Sequence, residues 1–196
     1  MPDKRLMRLE IAGPFITFTL ASLLHFIYDL NPNVLTALFG AVNESIWEHI
    51  KIFSIAYLFY GFIELLWARP VLRRFLVAKT MGVISQGVLI PLVYYTYTAF
   101  SKKPVLIVDL IIGFTAASVG FFVSWRLYNG GSEIEKYFLT SIMILFLILM
   151  CLLCFTYFPP KAELFRDVIT NEYGVKASVL DAGAFRLSGL KNTDLL

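Results

Sequence analysis

The stretch NESIWEHIKIFSIAYLFYGFIELLW, residues 43–67, joins a cluster of ionisable residues to an apolar run. A membrane-spanning helix needs about 20 mostly apolar residues, and this stretch provides them. Its beginning nevertheless contains Glu44, Glu48, His49 and Lys51. A charged side chain at membrane depth costs at least about 2.5 kcal/mol, so such groups normally face protein or a water-filled cavity. The stretch therefore predicts a transmembrane helix whose polar end faces the interior of a helical bundle.

The whole chain has the composition of an integral membrane protein. Of its 196 residues, 58% are hydrophobic, and charged residues make up 16%, which is well below the roughly 25% of soluble domains. The net charge of +3 is small, and the basic residues lie at the ends of apolar stretches rather than along one stripe. We therefore expect membrane lipids around the protein and no nucleic-acid partner.

Four further apolar windows predict four more transmembrane helices. With the second helix at about 45–67, the others lie at about 11–30, 80–100, 104–125 and 137–158. The apolar segment at about 33–43 is too short to cross as a helix, so we expect it to be re-entrant or interfacial. The predicted fold is an all-α integral membrane protein. Residues 1–158 form a bundle of five transmembrane helices, and residues 159–196 form an extramembrane carboxyl-terminal tail whose first half docks on the bundle.

The Lys and Arg residues predict the orientation of the chain in the cell membrane. One side of the membrane carries most of the basic residues, which include Lys4, Arg5, Arg8, Arg69, Arg73, Arg74 and Lys79. Residues 31–44, on the other side, contain no Lys or Arg. Because basic loops are retained in the cytoplasm, we expect a multi-pass protein with a cytoplasmic amino terminus. An odd number of helices then places the carboxyl terminus outside.

This topology brings polar residues from three predicted helices to the outer face. His25 and Asp29 are four residues apart near the end of the first helix, so their side chains share one face. Glu48 and His49 lie at the outer start of the second helix, and Asp109 lies about one turn into the fourth. Convergence relieves the cost of leaving each group alone in lipid. We therefore expect one outward-facing pocket that these five residues surround.

Two histidines and a carboxylate form a known ligand set of catalytic zinc sites. We expect His25, His49 and one of Asp29, Glu48 or Asp109 to bind the metal, with Asp29 as the preferred carboxylate and zinc as the candidate ion. Glu48 and Asp109 are the candidate catalytic carboxylates, because a carboxylate can act as general base on a metal-activated water. The remaining pocket residues are Asn43, Glu44, Ser45 and Lys51. Two structural interpretations stay open: Asn43 or Ser45 caps the helix, and Glu48 and His49 take part in ion pairs.

Three classes of function fit these residues. The first is a metal-dependent hydrolase that acts on a lipid or amphiphile from the outer leaflet. The second is a proton- or cation-coupled transporter, for which the inner half offers Glu64 and Gln86 and a homo-oligomer would complete the path. Transporters usually contain an internal repeat, and none is visible here. The third is an accessory or binding protein whose polar cluster is structural.

Two segments carry a resemblance to a known family. NESIWEHIK, residues 43–51, resembles the signature of an uncharacterised family of small bacterial polytopic membrane proteins. PPKAELFRDVITNEYGV, residues 159–175, resembles the segment after that family's last helix. The resemblance implies an architecture and no activity. The layout of polar residues near one face is also similar to that of alkaline-ceramidase-type hydrolases, although their sites use more than the two histidines present here.

The predicted orientation can be tested by thiol labelling of intact cells after Cys151 and Cys154 have been replaced. The Ser132→Cys variant should be protected from a membrane-impermeant reagent, because residue 132 follows the fourth helix on the cytoplasmic side. The Ser178→Cys variant should be labelled. The reverse pattern would contradict the orientation.

Overall fold

The computed structural model describes residues 4–175 of the chain. Within that range five helices are long and apolar enough to cross a membrane, which confirms the predicted all-helical membrane architecture. The α-helices are α1 Lys4–Leu30, α2 Val34–Phe39, α3 Ile46–Ala68, α4 Leu72–Ser101, α5 Leu106–Asn129 and α6 Phe138–Tyr157. Short 3₁₀ turns at Ser132–Tyr137 and Glu163–Phe165 precede and follow α6.

Two helices begin about two turns before the apolar windows that predicted them. The first starts at Lys4 rather than at about 11, and α4 starts at Leu72 rather than at about 80. These extra turns carry Glu10 and Lys79, both of which are buried in the bundle. An apolar window cannot detect them, because charged residues at a helix end usually lie at the membrane surface.

The central helix of the bundle is α3. Of the residues in its most apolar 18-residue window, 56% are buried inside the protein. In the corresponding window of Ser132–Tyr157, which includes α6, only 11% are buried, so this helix faces outward. Close packing around α3 depends on small residues. The ring of Phe53 from α3 lies directly over Gly113 of α5, and Gln86 of α4 lies against Gly120 of α5, so a methyl group at either glycine would collide with these side chains.

The segment between α1 and α3 forms the short helix α2. Asn33 caps it: its side chain accepts hydrogen bonds from the backbone N–H groups of Leu35 and Thr36, and the Thr36 hydroxyl accepts one from Asn33 N. Ala37 is 1% exposed and faces the bundle, whereas Val34 and Leu35 are exposed. The helix has six residues, and it is therefore too short to cross the membrane, as the sequence predicted.

A buried ion pair connects α2, α3 and α6. Lys51 Nζ lies 2.6 Å from Glu48 Oε2, and it donates hydrogen bonds of 2.9 Å to Ala37 O and to Thr156 Oγ1. An ammonium group has three donors, so each has an acceptor here. Glu48 Oε2 accepts a further hydrogen bond, from the backbone N–H of Val42, at 2.9 Å. The pair therefore fixes α2, the following loop and α6 around the start of α3.

Residues 159–175 lie against the end of the bundle where α3 begins. Pro159 and Pro160 follow the end of α6, because proline cannot continue a helix. The Phe165 ring packs on Trp47, with centroids 4.9 Å apart, and Val175 is buried. Ile169 of the same segment is 72% exposed. Residues 176–196, the second half of the predicted tail, lie outside the described residues.

Removal of the Lys51 charge should destabilise the protein more than removal of the whole pair. The Lys51→Met variant leaves Glu48 buried without its partner, so its free energy of unfolding should fall by about 3–5 kcal/mol. The double variant Glu48→Gln with Lys51→Met should recover part of that loss. Thermal unfolding in detergent measures both, with Lys161→Met at an exposed position as the control. A Lys51→Met protein as stable as the control would contradict the role of the pair.

Candidate metal centre

Side chains from α1, from the loop after α2 and from α3 meet at one point. His25 Nε2 lies 3.3 Å from Glu44 Oε1, and His49 Nε2 lies 3.9 Å from Glu44 Oε2. The two imidazole rings have centroids 5.4 Å apart. One potential ligand atom from each residue lies within 4.8 Å of the other two. Because protein ligands sit about 2.0–2.2 Å from Zn²⁺, only small side-chain rotations would bring all three onto one ion.

The start of α3 sets the orientation of His49. Its Nδ1 lies 2.9 Å from the backbone oxygen of Ser45. A carbonyl oxygen only accepts hydrogen bonds, so Nδ1 carries the proton and the lone pair of a neutral ring is on Nε2. A backbone carbonyl in this position is typical of histidines that ligate metals. Ser45 is also the N-cap of α3, because its side chain accepts the backbone N–H of Glu48 at 3.4 Å.

Contacts with residues 167–174 hold the loop that carries Glu44. Asn43 Oδ1 accepts the backbone N–H of Ser45 at 2.9 Å, and its Nδ2 donates to Gly174 O at 3.2 Å. The backbone N–H of Glu44 faces the Asp167 carboxylate and helps to lower its pKa. Asn43 and Ser45 are therefore positioning residues for Glu44 and His49.

The carboxylates of Glu44 and Asp167 are both ionised at neutral pH. The hydrogen bond from His25 lowers the pKa of Glu44, and it outweighs partial burial, which acts in the opposite direction. Burial also acts to raise the pKa of Asp167, but hydrogen bonds from backbone N–H groups, including those of Ile169 and Thr170, hold it below the ordinary value. The metal centre thus contains a negative charge that faces two imidazole nitrogens. Such an arrangement favours a cation between them or a proton on a ring.

A cavity of about 230 Å³ adjoins the three side chains. Its wall is mostly apolar, and its polar lining residues are Ser22, His25, Glu44, His49, Tyr94 and Asp109. Asp109 is in the first turn of α5, and its Oδ1 accepts a hydrogen bond from the Tyr97 hydroxyl. A second carboxylate therefore faces the cavity from a different helix.

The structure brings together some of the predicted site residues and separates others. His25, Glu44, His49 and Asp109 line the cavity. Asp29, the expected third ligand, is exposed and lies outside the group of potential ligands. The third member of that group is Glu44, which the sequence placed in the pocket without a ligand role.

Glu48 and Lys51, expected in the pocket, form the buried pair that links α2, α3 and α6. The physical reason is the helical rotation of about 100° per residue. This rotation directs Glu48 away from the cavity when its neighbour His49 faces it. Glu48 is therefore a structural residue in this arrangement, which corresponds to the ion-pair interpretation that the sequence left open.

Comparison with curated proteins finds no match, and comparison with solved structures finds none either. One family model, described as "Family of unknown function (DUF6512)", matches residues 4–175. The match includes all five transmembrane helices, the metal-centre residues and both segments on which the resemblance rested. The chain therefore belongs to this family, whose function is unknown.

Proposed function

We propose that the protein is a membrane-embedded, metal-dependent hydrolase that acts on a lipid or another amphiphile. The observation that carries the proposal is the grouping of His25, Glu44 and His49 at the wall of an apolar cavity. Two histidines and one glutamate are the protein ligands of several catalytic zinc sites, which leave a fourth position open. Bound there, Zn²⁺ would activate water and polarise the bond to be cleaved.

The three ligand residues have separate supports. His25 is held by α1, His49 by its hydrogen bond to Ser45 O, and Glu44 by the loop before α3. Ligands from different elements, each with its own support, favour a defined geometry over a flexible surface cluster. A site with Glu44 as its carboxylate is therefore better suited to holding one ion than a site that uses the exposed Asp29.

Asp109 is the candidate general base. It faces the same cavity but is not one of the three ligand residues. The Tyr97 hydroxyl hydrogen-bonds to Oδ1, so Oδ2 is available to accept a proton from water. Positioned acid–base groups contribute about 10²–10⁴-fold to rates. We assign this role to Asp109 rather than to Glu48, whose carboxylate is committed to Lys51.

The edge of the cavity favours an amphiphilic substrate. Several of its lining residues have exposed apolar side chains. Among them, Phe26 of α1 is 57% exposed, and Leu106 and Leu110 of α5 are 75% and 42% exposed. In a bilayer these side chains contact acyl chains, so a lipid could enter between α1 and α5 without leaving the membrane. The distribution of Lys and Arg favours an outward-facing cavity, reached from the outer leaflet.

A proton- or cation-coupled transporter is the second candidate. The observation in its favour is a further group of buried charges, Glu10, Glu64 and Lys79, outside the cavity. From the sequence, Glu64 and Gln86 were the polar residues expected in that half, so the structure strengthens this alternative. The hydrolase is favoured because the three-residue metal group and the cavity lie within one chain and need no homo-oligomer.

Metal content tests the proposed ligands. Purified wild-type protein in detergent should bind about one Zn²⁺ per chain, as expected for a three-ligand site. The variants His49→Ala and Glu44→Gln should lose it, because two ligands remain. The variant Asp29→Asn should retain it, since Asp29 lies outside the group. Mass-spectrometric metal analysis after dialysis measures the content, and equal zinc in Glu44→Gln and Asp29→Asn would contradict the assignment.

Loss of the proposed base should separate metal binding from catalysis. The Asp109→Asn variant should keep its zinc but hydrolyse a p-nitrophenyl fatty-acid ester in mixed micelles about 10²–10⁴-fold more slowly, because no group accepts the proton. Asp29→Asn is the matched control and should keep the wild-type rate. Equal rates in the two variants would remove Asp109 from the mechanism.

A further inference from the structure

A second group of ionisable side chains lies far from the metal centre. Glu10 precedes His25 by 15 residues in α1, and Glu64 follows His49 by 15 residues in α3. At 1.5 Å per residue, each separation is about 22 Å along the helix. Lys79 of α4 joins the two glutamates. We refer to Glu10, Glu64 and Lys79 as the buried triad.

The three side chains of the buried triad are almost completely enclosed by protein. Glu10 is 5% exposed, Glu64 0% and Lys79 2%. Lys79 Nζ lies 3.1 Å from Glu10 Oε1 and 2.5 Å from Glu64 Oε2. Both contacts are therefore ion pairs. Ser124 of α5 adds a hydrogen bond of 2.9 Å to Glu10 Oε1.

Aromatic rings surround the ammonium group of Lys79. Lys79 Nζ lies 4.5 Å from the ring centroid of Phe121, 4.9 Å from that of Tyr57 and 5.4 Å from that of Phe75. The negative faces of aromatic rings attract a cation at these distances. Together with two carboxylates, they offset the cost of burying the positive charge of Lys79.

The buried triad, in contrast, contains more carboxylate groups than positive charges. Among residues 4–175, the triad sets two carboxylates against one ammonium. Glu10 Oε2 and Glu64 Oε1 have no hydrogen-bond partner, and Glu64 Oε2 has only the Lys79 ammonium. The adjacent tyrosines do not compensate, since the hydroxyls of Tyr57 and Tyr60 donate to Gly120 O and Leu9 O. The Glu48–Lys51 pair differs, because it is balanced one to one and each ammonium hydrogen has an acceptor. An unpaired buried carboxylate is costly and normally takes up a proton instead.

We propose that Glu10 and Glu64 share one proton at neutral pH, so that the buried triad is an intramembrane proton-binding site. With that proton the triad has no net charge, and the acidic O–H supplies a donor for an oxygen that otherwise lacks one. The ligand is the proton itself. Carboxylates that hold a proton at membrane depth are the groups on which proton-linked transport and regulation depend. The inference is independent of the hydrolase proposal, because it involves none of the metal-centre residues.

Infrared spectroscopy of the full chain in detergent at neutral pH tests this inference, because a protonated carboxyl group has its own C=O stretching band. Wild-type protein should contain a band that both Glu10→Gln and Glu64→Gln remove. In either variant the remaining carboxylate pairs one to one with Lys79 and is ionised. In Lys79→Met both glutamates should be protonated, so the band should about double.

The exposed Glu133 provides the control, and Glu133→Gln should leave the band unchanged. Circular dichroism and thermal unfolding establish that each variant is folded. If Lys79→Met does not fold, the two glutamine variants still decide the question. Spectra of Glu10→Gln and Glu64→Gln identical to that of wild type would overturn the inference, and so would loss of the band in only one of them.

Discussion

The positive charge of Lys51 has to be neutralised inside the bundle, and the arrangement around the start of α3 follows from how this is done. Glu48 lies one turn before Lys51 and supplies the counter-charge, and the carbonyl of Ala37 and the hydroxyl of Thr156 supply the other acceptors. The ammonium thereby holds α2 and α6 against α3. His49, one residue after Glu48, then faces the cavity, so one helix start provides both the structural pair and a candidate metal ligand.

Much of the fold and part of the metal centre could be predicted from the sequence. Apolar windows located the five transmembrane helices, and the topology correctly indicated that His25, His49 and Asp109 meet. The position of Glu44, rather than Asp29, beside the two histidines could not be predicted, because it depends on a loop that contacts Asp167 and Gly174, more than 120 residues further along the chain.

The polar groups outside the apolar windows were missed for a related reason. Hydropathy identifies charges inside a window, but Glu10 and Lys79 lie in helical turns that extend beyond the windows. Whether such turns face water or protein is decided by neighbouring helices. In this bundle the two residues meet Glu64 and a set of aromatic rings. Helices α1 and α3 therefore contribute to two polar groups at opposite ends of the bundle. The candidate metal centre is open to the cavity, and the buried triad is enclosed.

The central claim is that His25, Glu44 and His49 form one metal site, and anomalous X-ray diffraction at the zinc absorption edge tests it most directly. Crystals of the full chain grown with zinc should give a single strong anomalous peak within about 2.3 Å of His25 Nε2, His49 Nε2 and a Glu44 carboxylate oxygen. The same crystals of Glu44→Gln should lack that peak. A peak elsewhere, or none between the two histidines, would contradict the account.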